Sequence, residues 1–226
     1  MRLLAAFLIL SAAFAPAAAQ APAAAPVRTL EAMRRDFPLD HQAIAATLAG
    51  KPAEEARRLA YAGIDRFLRS RSGAVVAAPG ATLLAIEARQ ASLLRALGKQ
   101  DVRRCATVGD RGFFRSEAAA GAAPPGLDDY GVALVEAAKA GAGTARAPAL
   151  AGKEDFEAWL AAVEKIEPGV PVRAMLFDRA LRLKSGPEHL CRGAAAMHEA
   201  VAALPPGAGE RLARTLLRSV LAPPAS

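Results

Sequence analysis

An all-α fold of about seven or eight helices is what this sequence predicts, on three observations. Alanine, the strongest helix former, supplies 59 of the 226 residues. Aromatic residues make up only 5% and β-branched ones are scarce, which argues against a sheet-dominated chain. Leucine, isoleucine, valine and phenylalanine recur at helical spacing along most of the length. With 53% hydrophobic residues the chain can bury a core, which excludes a mainly disordered protein.

The first element is a leader. Arg2 is followed by a mostly apolar stretch from Leu3 to Phe14, and Ala17-Ala18-Ala19 offers small residues for cleavage before Gln20. Residues 1–19 therefore read as a secretory signal peptide, too short in its apolar part to span a bilayer. An Ala/Pro tail over 20–27 is expected to be disordered. The remainder, 28–222, reads as one α-helical domain, and the Gly/Ala-rich stretch at 141–152 is the natural place for a boundary between two lobes.

Within the domain, Ile44 and Leu48 mark a short helix that Gly50 stops, and Pro52 opens a longer one with Leu59, Ile64, Phe67 and Leu68 as its stripe. After Gly80, the period Leu83, Ile86, Leu93, Leu94, Leu97 gives another helix, closed by Gly98. Asp101 caps a brief helix holding Cys105. Residues 107–127, rich in Gly and Pro, read as a long loop with one helical turn. Helices then follow over Leu127 to Ala140, behind Glu154-Asp155, over Val172 to Leu183, after Pro187, and after Pro205-Pro206. Phe67, Leu83, Leu94, Trp159, Leu176, Met197 and Leu216 are expected to be buried.

Without the leader the net charge is +6, unevenly spread: residues 117–170 carry −5 between basic flanks. In one domain the acidic stretch is expected to lie against basic neighbours. The whole is basic enough for weak binding to anionic envelope surfaces, for which Arg211, Arg214 and Arg218 on the last helix are the candidates.

Sites of chemistry are few. Glu188, His189, Cys191 and His198 crowd one stretch, but zinc-ligand spacing is lacking, so neither metal nor cofactor is expected. The pairs Glu54-Glu55, Asp128-Asp129 and Glu154-Asp155 each open a predicted helix, where the dipole favours carboxylates without any catalytic role. No serine occupies a nucleophile elbow, and no phosphate-cradling glycine loop is present. No catalytic residue is assigned. Arg111-Gly112-Phe113-Phe114-Arg115 is the one basic-aromatic cluster. Its rings are expected in the core, pinning the long loop; the alternative sets them against a ligand or membrane while the arginines hold anionic groups. Aromatics interleaved with basic residues are lacking elsewhere, so nucleic acid is not an expected partner.

The two cysteines, Cys105 and Cys191, are expected to form a disulfide, because an exported chain matures where thiols oxidise. Function follows only broadly: an exported, non-catalytic binding or structural protein of the bacterial periplasm or exterior, with an envelope component as partner. The alternatives are an exported hydrolase or cell-wall enzyme with scattered carboxylates, and an Arg-rich binder of anionic envelope surfaces.

Overall fold

The computed structural model describes residues 26–117, 123–144 and 149–222. Residues 1–19, expected to form a signal peptide, and nearly all of the 20–27 tail lie outside the described residues. Every regular element described is a helix, and there are thirteen: α1 (Val27–Asp36), α2 (Pro38–Leu48), α3 (Ala53–Ser70), α4 (Ser72–Ala77), α5 (Gly80–Gln100), α6 (Val102–Arg111), α7 (Phe113–Glu117), α8 (Leu127–Ala140), α9 (Lys153–Ile166), α10 (Val172–Phe177), α11 (Arg179–Lys184), α12 (Pro187–Ala202) and α13 (Pro206–Leu221). The all-α class holds, but the expected count of seven or eight is too low.

The surplus comes from short helices at breaks. Phe37 precedes Pro38, which disfavours helical torsions at Phe37 and separates α1 from α2. The expected long loop over 107–127 is instead partly helical: α6 runs to Arg111, Gly112 turns the chain at φ 84°, and α7 follows. The expected helix over Val172 to Leu183 splits at Asp178, whose extended backbone lets its carboxylate cap α11 by accepting from the Ala180 and Leu181 N–H groups at 2.9 and 3.0 Å. The cap expected at Asp101 is present, its carboxylate accepting from the Arg104 N–H at 3.0 Å.

α5 and α12 lie together at the centre, with α6, α8, α9 and α13 around them and α1 and α4 against α8. Helices on both sides of 141–152 thus contribute to one hydrophobic core. The buried residues of α12 include Gly193, Ala194, Ala195, Ala196 and Ala200, and a β-carbon on Gly109 of α6 would meet that of Ala194 at 2.5 Å. Alanine thus serves packing as well as propensity: small faces let the central helices approach closely.

Of the residues expected inside, Phe67, Leu83, Leu94 and Trp159 are buried, while Met197 and Leu216 are partly so. Leu176 is a correction, at 40% exposed. α10 has only six residues and turns Val172 and Met175 inward, which leaves Leu176 and Phe177 facing out. The acidic segment does meet basic neighbours: Asp129 pairs with Arg28, Glu136 with Arg35, Asp155 with Arg211, and Glu167 with both Arg95 and Arg192.

Cys105 and Cys191 are joined, with Cα atoms 5.2 Å apart, and the bond fastens α6 to α12 inside the core. Gly98 is not the helix stop expected of it, since α5 continues to Gln100. It makes room for the disulfide: a β-carbon there would lie 2.7 Å from the Cys191 sulfur and 3.6 Å from the Cys105 sulfur. Gly98→Ala is therefore expected to destabilise by about 1–3 kcal/mol through overpacking. Denaturant unfolding should show a smaller loss when the same change is made in a Cys191→Ala background.

Candidate functional site

Four polar side chains meet inside the helical core. α5 presents Glu87 and Gln90 one turn apart, α12 presents His198 and α8 presents Tyr130; all are buried. The Tyr130 hydroxyl donates to Gln90 Oε1 at 2.8 Å. That leaves the Gln90 amide nitrogen 2.9 Å from His198 Nε2. An amide nitrogen can only donate, so Nε2 accepts and the imidazole carries its proton on Nδ1, which donates to Glu87 Oε2 at 2.5 Å. The donors all point the same way, from phenol to carboxylate. Glu87 Oε1, at the end of the chain, is buried without a partner. Burial pushes the Tyr130 phenol well up, and the Glu87 charge adds to it, so this hydroxyl remains a donor at neutral pH. The Phe113 and Phe114 rings cover it, with centroids 5.4 and 6.0 Å from that of Tyr130.

The structure divides the basic-aromatic cluster. Phe113 and Phe114 are 2% and 5% exposed, so they are core residues and the reading that set them against a ligand or membrane falls away. Arg111 and Arg115 lie at the surface and, among the described residues, have neither an ion-pair nor a hydrogen-bond partner. With Arg69, Asp110, Gly112 and Ser219 they line a cleft of about 310 Å³ where the ends of α3, α6 and α13 meet α7. Gln90, the second member of the buried chain, also lines this cleft. Arg69 is already engaged, donating to Asp65 and to the Ala222 carbonyl.

Of the three α13 arginines named as candidates for anionic-surface contact, two are engaged within the protein. Arg211 holds Asp155 on α9 through two hydrogen bonds of 2.8 and 2.6 Å. Arg214 is turned inward against the Ala78 carbonyl and Glu210. Only Arg218 stays exposed and unpaired among the described residues. The sequence of the helix could not show that α9 and the α4–α5 turn would claim two of them.

Asp155 also accepts from the Gly152 N–H at 3.0 Å, so it fixes the start of α9 as well as the α9–α13 contact. Arg211 first, then that backbone bond, pull its carboxyl down to about 2. A carboxyl lowered on folding stabilises the native state above its unfolded value of about 3.9, and this stability is lost as pH falls toward the folded value. The difference in urea midpoint between wild type and Arg211→Ala is accordingly expected to shrink as pH drops from about 5 to about 2. A constant difference would mean that the pair does not titrate with folding.

The remaining displaced carboxyls tell a similar story. At Glu167 burial raises the carboxyl, but hydrogen bonds from Arg192 and Arg95 outweigh it and hold it below the ordinary range. Arg35 holds Asp36 down and Arg57 does the same for Glu54. Among the described residues no group of three or more His, Cys, Asp or Glu is arranged to hold a metal ion. Cys191 is bonded to Cys105 and His198 to Glu87 and Gln90, while Glu188 and His189 are exposed, so the crowded stretch seen in the sequence does not converge. No helix among the described residues is long and apolar enough to cross a membrane.

The chain matches no protein-family model, no curated protein and no solved structure.

Proposed function

We propose that this chain is an exported helical protein of the bacterial cell envelope that binds a partner without catalysing a reaction. The observation that carries the reading is the buried Cys105–Cys191 bond, since structural disulfides persist in compartments that oxidise thiols. The leader-like pattern of residues 1–19 supports the same destination. Binding rather than catalysis is supported by how the reactive groups are used. The displaced carboxyls Asp36, Glu54, Asp155 and Glu167 are all held ionised by cationic side chains, whereas acid catalysis calls for a raised carboxyl. His198 and Tyr130 are bonded within the core.

The test is affinity capture from crosslinked envelope fractions using the tagged mature protein. A reproducible envelope component is the expected result. Capture indistinguishable from a tag-only control would contradict the reading.

A further inference from the structure

We infer that the cleft at the ends of α3, α6 and α13 is a binding site for a small ligand bearing a carboxylate or phosphate, gripped by Arg111 and Arg115 over the Gln90 amide. The inference rests on the reading of the chain as a binding protein and supplies that reading with a site. Three independent features converge. First, Arg111 and Arg115 lack partners among the described residues, although elsewhere in the molecule Arg95, Arg192 and Arg211 are each bonded to carboxylates. An unpaired guanidinium presents a planar fork of donors that matches an oxyanion.

Second, the cleft lining includes a polar residue, Gln90, that is only 3% exposed. One amide hydrogen of Gln90 is committed to His198, and its carbonyl is committed to Tyr130. Because an amide nitrogen carries two hydrogens, the second has no partner among the described residues. The buried bonds on either side fix the amide's orientation, so this donor is held in place before anything binds. Third, the cleft holds about 310 Å³, at the lower end of the range for small-molecule sites. That volume suits one compact ligand rather than a polymer.

The charge balance is favourable but narrow. Asp110 stands at the same rim, Arg69 is neutralised by Asp65, and so the two free guanidiniums exceed the carboxylates by one positive charge. Helix carboxyl ends around the cleft oppose an anion further, so the grip depends on direct contact with the arginines. A monoanionic head group fits this balance better than a polyanion. Gly112 belongs to the same rim: its φ of 84° swings the chain between α6 and α7 and brings both arginines to one opening.

The test uses the mature protein and two probes, acetate and inorganic phosphate, followed by amide NMR. At least one probe should bind with millimolar affinity and shift the Gln90 side-chain amide resonances. Arg111→Ala and Arg115→Ala should each weaken binding about tenfold without lowering the melting temperature, because both side chains lie outside the core. Arg218→Ala, which removes an exposed arginine elsewhere, should leave binding unchanged. Absence of binding by both probes, shifts that miss Gln90, or equal weakening by Arg218→Ala would each overturn the site. An envelope partner retained equally by the Arg111→Ala/Arg115→Ala double variant would overturn the site and leave the binding reading intact. Probe binding at the cleft without any envelope partner would support the site while contradicting the envelope reading.

Discussion

Cys105→Ser is expected to lower the stability of the mature protein by about 3–5 kcal/mol, with a matching fall in melting temperature. The bond spans 86 positions, so in the chain-entropy picture it removes roughly 4.6 kcal/mol of freedom from the unfolded chain. Both cysteines sit in the core, where serine would also place a polar hydroxyl and leave Cys191 as a free thiol. Cys105→Ala with Cys191→Ala separates these effects, since it removes the cross-link without burying a hydroxyl. Guanidinium unfolding of the double variant should still show a loss of several kcal/mol. A loss below about 1 kcal/mol would mean that the unfolded chain gains little freedom when the link is cut.

His198→Ala should cost a comparable amount, about 3–5 kcal/mol, because it breaks a buried pair and leaves its partners stranded. Glu87 would lose the donor to Oε2 while Oε1 has none, and the Gln90 nitrogen would lose its acceptor. Removing the polar groups together is expected to be gentler. Glu87→Leu combined with His198→Leu should recover part of the loss, since two apolar side chains leave no stranded charge. Tyr130→Phe strands only the Gln90 carbonyl and should cost about 1–3 kcal/mol. Unfolding midpoints of these variants give the comparison directly. A His198→Ala protein as stable as wild type would show that the four groups are not coupled as their geometry indicates.

Both results turn on contacts that differ in how far the sequence reveals them. The disulfide was legible because a chain with two cysteines has one internal pairing. Helices α8, α9, α12 and α13 were legible too, since Gly126, Gly152, Pro187 and the Pro205-Pro206 pair punctuate clear apolar periods. The chain from Tyr130 to Glu87 was not. Its hydrogen bonds join residues 40, 108 and 111 positions apart, and local periodicity carries no record of such pairings. One signal was present: Leu83, Glu87, Gln90, Leu94 and Leu97 follow a single helical seam, so two polar residues occupy positions that packing reserves for apolar ones.

The glycine-rich stretch before Pro124 misled for the opposite reason. Gly109 serves close packing against Ala194 rather than breaking α6, and only Gly112 adopts the torsion that ends it. Arg111 and Arg115 stood out in the sequence, while the presence of Gln90 in the lining of the same cleft depends on how α5 meets α6 and α13. On α13 the roles of Arg211 and Arg214 were set by Asp155 and Ala78 from other parts of the chain, which the sequence of the helix does not record.

The proposed export into an oxidising compartment joins the disulfide, the leader-like pattern of residues 1–19 and the proposed envelope partner, and intact mass spectrometry of protein recovered from the periplasm of expressing bacteria tests it most directly. The predicted result is a chain beginning at Gln20, lighter than its reduced form by the two hydrogens lost when Cys105 and Cys191 join. A chain that still begins at Met1 and carries both thiols, recovered only from the cytoplasm, would contradict it.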